Sequence, residues 1–346
     1  MRKQLAITYK EIISVENLLS AWQEFVRGKR RRQDVQLFGL RLMENIFALH
    51  YELNKFAYLH GGYKHFRISD PKPRDIHKAS VRDRLLHHAL YRKLYPFFDR
   101  TFIADSYSCR LRKGTHRALQ QFQNFGHGVS KNNTCTCWVL KCDIRKFFAS
   151  IDHHVLFEIL DNSIVDEDVR CLLKRVVSSF SSAKPGVGLP LGNLTSQLLV
   201  NIYMNEFDHF VKHTLRARYY IRYADDFVML SETRGALVMQ LARLQDFLRA
   251  QLHLLLHPNK VSITTRASGV DYLGWVHFAD HKVLRTTTKK RMFRGLEKKK
   301  TEATLASYLG LLSYGNTQKL RAMILAKRVG ENMLHCPHYE AASNHF

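Results

Sequence analysis

The sequence predicts an α+β fold, and three observations carry that prediction. The stretch Tyr219-Tyr220-Ile221-Arg222-Tyr223-Ala224-Asp225-Asp226-Phe227-Val228-Met229-Leu230 places aromatic and β-branched residues on both sides of two adjacent carboxylates. That is the pattern of a β-hairpin with acids at its turn. A second strand-like run, Thr136-Cys137-Trp138-Val139-Leu140-Lys141-Cys142-Asp143, also ends on an acid. Elsewhere apolar residues recur at helical spacing: through Leu18, Leu19, Trp22 and Phe25, from Leu37 to Leu49, over 156 to 182, and from Leu198 to Phe210. Two acid-tipped strands joined by a long helical connection can converge in one sheet.

Neighbouring acids in an apolar hairpin are costly, because their charges repel and both lose water. A divalent cation offsets that cost, and oxygen ligands suit Mg²⁺, which is usually held by one or two carboxylates. An exposed Asp-Asp turn is the plainer alternative, since turns favour Asp. The third carboxylate, Asp143, shifts the balance towards a shared metal site.

Charge narrows the partner. The 346 residues hold 54 Lys+Arg against 30 Asp+Glu, a formal net charge of +24, with pI about 9.9. Such an excess calls for a polyanion, nucleic acid first. No run of about 18 apolar residues suggests a membrane span, and no lipidation signal is present. The start, Met1-Arg2-Lys3-Gln4, lacks a signal-peptide pattern, so a cytoplasmic location is expected. The six cysteines form no Cys-x-x-Cys pair and read as reduced thiols. The 19 histidines show no metalloprotease spacing.

In chain order, Arg27-Gly28-Lys29-Arg30-Arg31-Arg32 is a dense basic turn, either a solvated charge run or a contact for RNA phosphates. Tyr63 to Ile68 alternates like a strand, and Asp70-Pro71-Lys72-Pro73-Arg74 is a proline-stiffened loop with two cations. A helix begins at Arg82. Arg110, Arg112, Lys113 and Arg117 surround Gly114 just before another helix, whose N-terminus would favour phosphate. Pro185 to Gln197 is a Gly/Pro-rich turn into the helix that follows. Leu252 to Lys260 reads as a helix end and turn, Asp271-Tyr272-Leu273-Gly274-Trp275-Val276 as a hairpin, and Lys289-Lys290-Arg291 and Lys298-Lys299-Lys300 restore the basic character.

These motifs, in this order, resemble the reverse transcriptase family over roughly residues 50 to 320. Tyr223-Ala224-Asp225-Asp226 resembles its YxDD motif, and Asp143 with Phe147-Phe148 resembles its first catalytic aspartate block. The resemblance implies a right-hand polymerase fold with fingers, an antiparallel palm and a small helical thumb. The expected division is a helical extension over 1–50, fingers over 51–135, a palm over 136–280 with a finger-proximal insertion near 176–192, and a thumb and tail over 281–346. It also implies RNA-templated DNA synthesis with two Mg²⁺ ions, Mn²⁺ being a substitute. Asp143, Asp225 and the Ile144 carbonyl are the expected ligands. Asp226 is left open as a direct ligand, because adjacent strand residues point to opposite faces.

By the same resemblance, Lys72 and Arg74 meet the triphosphate, Lys260 approaches it, and Phe148 is the sugar gate beneath C2′, with a core role as its alternative. Leu191, Gly192 and Gln197 line the nucleotide pocket. Arg30, Arg31, Arg32, Arg110, Arg112, Lys113, Lys298 and Lys299, with Tyr272 and Gly274 of the primer-grip hairpin, face nucleic acid. Reverse transcriptases commonly carry Gln-Gly, three residues, then Ser-Pro where this chain has Leu191-Gly192 and Ser196-Gln197. That paired departure is similar to the reverse transcriptases of diversity-generating retroelements, which implies adenine-mutagenised cDNA. The implied partners are a template RNA, the RNA–cDNA heteroduplex, dNTPs and a small basic accessory protein oligomer, without a membrane. The alternatives are a group II intron or retron polymerase and, from another class, an RNA-binding scaffold with a dead polymerase fold. Three intact acids favour an enzyme.

Overall fold

Four helices begin the architecture: α1 (Tyr9–Ile13), α2 (Val15–Phe25), α3 (Gln33–Leu40) and α4 (Leu42–Asn54). The computed structural model describes residues 4–69, 73–298 and 301–334. Thr8 and Glu11 form a reciprocal capping box on α1, and Ser14 caps α2 by accepting the Asn17 N–H. The helical spacing seen in the sequence buries Leu18 and Ala21 of α2 with Ile46 and Leu49 of α4, while Phe25 packs with Val35 and Val81. The basic turn between α2 and α3 leaves Arg30, Arg31 and Arg32 exposed.

Strands β1 (Tyr63–Ile68) and β2 (Arg74–Ala79) form a solvated antiparallel ribbon, with Tyr63 opposite Ala79 and Ile68 opposite Arg74. Lys72 lies outside the described residues. Ser80 caps α5 (Val81–Phe98) by accepting the Asp83 N–H, and α5 packs against α2. After α6 (Thr115–Val129) come β3 (Trp138–Asp143), a short 3₁₀ turn at Phe147–Ser150, α7 (His153–Asp161) and α8 (Glu167–Ser178). The helical stretch expected over 156 to 182 is thus two helices. Asp166 starts the second by accepting the Val169 N–H.

Then follow α9 (Leu194–His209), β4 (Tyr220–Tyr223), β5 (Asp226–Ser231), α10 (Arg234–Leu252) and β6 (Ser262–Thr265). The sheet order is β4-β5-β3-β6, antiparallel from β4 through β5 to β3. Phe227 to Leu230 of β5 are all buried, so that strand is covered on both faces; α10 packs on β3 and β5. One apolar core runs from the first helices through the sheet, from Leu5 to Leu254.

The chain divides into two units, Met1–Phe122 with Trp138–Ile263, and Gln123–Cys137 with Thr264–Phe346. The second contains the meander β7 (Val270–Tyr272), β8 (Trp275–His277) and β9 (Lys282–Leu284), then α11 (Thr286–Lys298), α12 (Glu302–Leu312) and α13 (Gln318–Leu334). Its hairpin loop, Leu273-Gly274, has φ of +48° and +88°, the two-residue geometry that matches strand twist. Pairing of β8 with β9 carries across residue 281, so the strands before it and the helices after it share one unit. Among the described residues, no helix is long and apolar enough to cross a membrane.

Candidate active site

Strand register assembles the acids. Asp143, the last residue of β3, lies directly across from Asp226, the first of β5, and Tyr223 of β4 pairs with the same Asp226. Ala224 and Asp225 are the two-residue loop between β4 and β5. Ala224 has φ +56°, a left-handed conformation that costs a residue with a Cβ about 1–2 kcal/mol. Asp225 is therefore a loop residue, so strand alternation does not set it against Asp226.

Three backbone bonds clamp the segment after β3. Ile144 N–H donates to the Asp225 carbonyl at 3.1 Å, Arg145 N–H to Leu255 at 2.8 Å, and His257 N–H to Asp143 at 2.7 Å. None of the three uses the Ile144 carbonyl oxygen. Lys260, at the end of a 3₁₀ turn, donates Nζ to Asp143 Oδ1 at 2.8 Å. The resemblance placed Lys260 near the triphosphate; in this structure its ammonium is paired with Asp143.

Burial pushes the Asp225 carboxyl above the usual range, and the negative charge of Asp143 pushes it further, while Lys260 and Arg74 pull it back. Among the described residues, no group of three or more His, Cys, Asp or Glu side chains is disposed to hold a metal ion, so the three acids do not gather as one three-ligand cluster. Two carboxylates with only oxygen donors still fit Mg²⁺, which completes its shell with water and substrate phosphate rather than a full protein cage.

The nucleotide-side candidates are tied together by backbone. Phe148 is half-buried and stacks edge-on against the buried Phe147, with centroids 5.6 Å apart. Its carbonyl accepts the Leu189 N–H at 2.7 Å. Two residues on, the Leu191 carbonyl accepts the His77 N–H at 3.1 Å, and Asn193 Nδ2 donates to the His77 carbonyl at 3.1 Å. The loop before α9 is thus strapped to β2, the strand that begins with Arg74. Gly192 between them has φ +110°, and a Cβ there would meet Ile76 Cγ2 at 3.0 Å. Gln197 falls in the first turn of α9, where its N–H donates to the Asn193 carbonyl at 3.4 Å. A proline there would lack that donor.

Several residues expected at nucleic acid also make bonds within the fold. Arg110 donates to the Asp99 side chain at 2.7 Å, to the Asp99 carbonyl at 3.1 Å, and to the carbonyls of Ile103 and Ser106 at 2.7 and 3.0 Å. Its guanidinium is nearly buried and serves the fold. Lys113 turns inward to the Ala104 carbonyl at 2.7 Å and over the Tyr107 ring. Tyr272 is fully buried, so its ring is core rather than contact surface. Gly274 sits at its hairpin turn, its carbonyl accepting the Arg285 N–H at 3.1 Å. Arg74, Arg112 and Lys298 are exposed, and Lys299 lies outside the described residues.

Sequence reading passed over the support beneath the hairpin. Arg222 and Asp208 form a fully buried ion pair at 2.7 Å. Thr115 donates to the Tyr223 hydroxyl at 3.0 Å. The outer edge of β4 is covered by Asp105 to Tyr107, through Arg222 N–H to the Asp105 carbonyl and Tyr107 N–H to the Arg222 carbonyl, both 3.0 Å. An arginine inside an apolar strand was the available signal, because a buried charge needs a partner.

The family profile described as reverse transcriptase (RNA-dependent DNA polymerase) matches residues 69–277, more than half of the chain. The chain belongs to the reverse transcriptase family. It is an RNA-directed DNA polymerase of right-hand architecture, and divalent metal is general in that family. Among curated relatives, this reverse transcriptase is 24% identical over 288 residues to the protein YkfC of Escherichia coli K12, covering 70% of this chain and 72% of that one. It is 26% identical over 145 residues to the group II intron-encoded protein LtrA of Lactococcus lactis, covering 40% of this chain and 23% of that one. A 91 kDa protein in the cob intron of Schizosaccharomyces pombe is 28% identical over 141 residues, of which it shares only 16% of its own length. This reverse transcriptase therefore spans less than a quarter of those intron proteins. Of solved structures, apo telomerase from Candida tropicalis superposes with a TM-score of 0.49 at 11% identity, over 70% of this chain and 60% of that one.

Proposed function

We propose that this reverse transcriptase copies a template RNA into error-prone cDNA, miscopying template adenines, within a diversity-generating retroelement. The observation that carries this reading is the pair Leu191 and Gln197, replacing the usual Gln and Pro, with Leu191 in the loop strapped to β2 at His77 and Gln197 in the first turn of α9. A glutamine side chain at 191 would hydrogen-bond within the nascent pair's pocket and reward correct alignment; leucine offers apolar contact only. One hydrogen bond is worth about 0.5–1.5 kcal/mol, roughly two- to tenfold in discrimination. That accounts for lowered fidelity but not for confinement of errors to adenine, which rests on the resemblance. The likeness to the intron-encoded protein LtrA supports a second reading, an intron-type polymerase. The departures at 191 and 197 weigh against it.

In this reading Asp143 and Asp225, with the Ile144 carbonyl, would hold two Mg²⁺ ions, or Mn²⁺ in their place. When bound, those ions would supply a lowered pKa at the primer 3′-hydroxyl and charge neutralisation at the triphosphate. Asp226, across from Asp143, adds to the local field. Lys260 screens Asp143 until nucleotide arrives, then faces the triphosphate together with Arg74 and Lys72. Exposed Arg30, Arg31, Arg32, Arg112 and Lys298 hold the template and heteroduplex by phosphate contacts, leaving sequence choice to base pairing. A small basic accessory oligomer and a bacterial cytoplasmic setting complete the proposal.

Two outcomes test it. Leu191→Gln is expected to lower misincorporation opposite template adenine about two- to tenfold, more than opposite the other three bases. Sequencing cDNA made by both proteins on one template measures this, and equal adenine error rates would sink the assignment of Leu191. Phe148→Ala is expected to open space at C2′ and raise ribonucleotide use by roughly tenfold or more, the scale of a lost steric exclusion of 1.4 kcal/mol. If a folded, active variant shows unchanged ribonucleotide use, another residue is the gate.

A further inference from the structure

We propose that Arg222 is a positioning residue that holds the Ala224-Asp225 loop in its left-handed form and so presents Asp225 to Asp143. The proposal rests on the reading of Asp225 as a metal ligand.

All five N–H donors of Arg222 are used. Nε bonds Asp208 Oδ1 and Oδ2 at 2.8 and 2.9 Å, and Nη2 bonds Asp208 Oδ2 at 2.7 Å and Ser106 Oγ at 3.1 Å. Nη1 bonds Asn201 Oδ1 at 3.1 Å and the Ala224 carbonyl at 3.2 Å. The acceptors are themselves fixed. The Tyr220 hydroxyl donates to Asp208 Oδ1 at 2.7 Å, and Asn201 Nδ2 donates to the Ser108 carbonyl at 2.9 Å. Arg222 and Asp208 are both fully buried.

A buried ion pair is weak grounds for stability, because well-packed apolar residues of similar volume often serve as well. The geometry here does something apolar residues do not. One planar fork joins α9, the 105–108 segment and the loop carbonyl, and the loop residue it grips is the one with φ +56°. Left-handed backbone at a non-glycine residue persists only where its surroundings over-determine it. Arg222 supplies that determination at Ala224, the residue just before Asp225. Lysine would keep the charge opposite Asp208, but as a point charge it does not reach all four partners at once.

The test is Arg222→Lys in the full chain, with Asp225→Asn as control. Arg222→Lys is expected to keep a cooperative unfolding transition and parental affinity for an RNA template–primer. Its affinity for Mn²⁺, titrated without nucleotide by electron paramagnetic resonance, should weaken about tenfold. Its kcat in primer extension should fall roughly ten- to a hundredfold, the scale of one charge-assisted hydrogen bond, with KM for dNTP far less changed. Adding Ala224→Gly should recover part of the loss, since glycine adopts positive φ freely. Parental Mn²⁺ affinity and kcat in Arg222→Lys overturn the proposal when Asp225→Asn is inactive. Activity in Asp225→Asn overturns the underlying metal assignment instead. If Arg222→Lys does not fold, Ser106→Ala removes one acceptor and keeps the Arg222–Asp208 pair, a milder change than losing the guanidinium. A roughly two- to tenfold weaker Mn²⁺ affinity is then expected, and an unchanged one overturns the proposal.

Discussion

Asp225→Asn is expected to cut primer extension by on the order of a thousandfold or more, because a fixed charge aimed at developing charge in a catalytic site is commonly worth that much. Asparagine keeps the shape of the side chain and removes its charge. The same change should leave affinity for RNA template–primer within about twofold, since the exposed cations that set phosphate binding are untouched. It should also leave the unfolding midpoint unchanged or raised. The Asp225 carboxyl is partly buried and lies in the negative field of Asp143, so neutralising it relieves both costs. Activity and stability are therefore expected to move in opposite directions, which separates a functional carboxylate from a structural one. Near-normal extension by this variant would remove Asp225 from the chemistry.

Asp208→Ala is expected to destabilise the first unit by about 3–5 kcal/mol, because it leaves the Arg222 guanidinium buried without a counter-charge. Replacing Asp208 and Arg222 together by leucine should recover much of that loss in urea unfolding, since no charge then remains in the core. The double variant should nevertheless stay poorly active, having lost the bond to the Ala224 carbonyl. A single-variant loss below about 1 kcal/mol would mean that Arg222 finds solvent or another acid when Asp208 is gone.

Local pattern carried much of this structure. The acid-bearing hairpin, the acid at the end of β3, the strand over Tyr63–Ile68 and the start of the helix near Arg82 all stand where pattern and turn chemistry put them, while the second strand, Arg74–Ala79, was not legible. What the sequence did not disclose is which distant group each side chain meets. Arg110 stands in a basic cluster, and composition does not show that Asp99 and two nearby carbonyls will enclose it. Tyr272 is aromatic in a hairpin, and only packing decides that its ring is core. Lys260 was legible as a cation near the site, but its bond to Asp143 depends on strand register and the clamp at Leu255 and His257. Arg222 and Asp208 each broke a local rule, a charge within an apolar strand and an acid within an apolar helix. Such violations mark either a functional or a strained position, and here they meet beneath the strained loop.

The central claim is RNA-templated DNA synthesis at Asp143 and Asp225. Its most direct measurement is extension of a labelled primer on an RNA template by the full chain with four dNTPs, with Mg²⁺ or Mn²⁺ and with chelator. The account predicts template-dependent extension with either ion, none with chelator, and none from Asp225→Asn. RNA binding of parental strength with no extension under either ion would contradict it and would mark the chain as a scaffold with a silent polymerase fold.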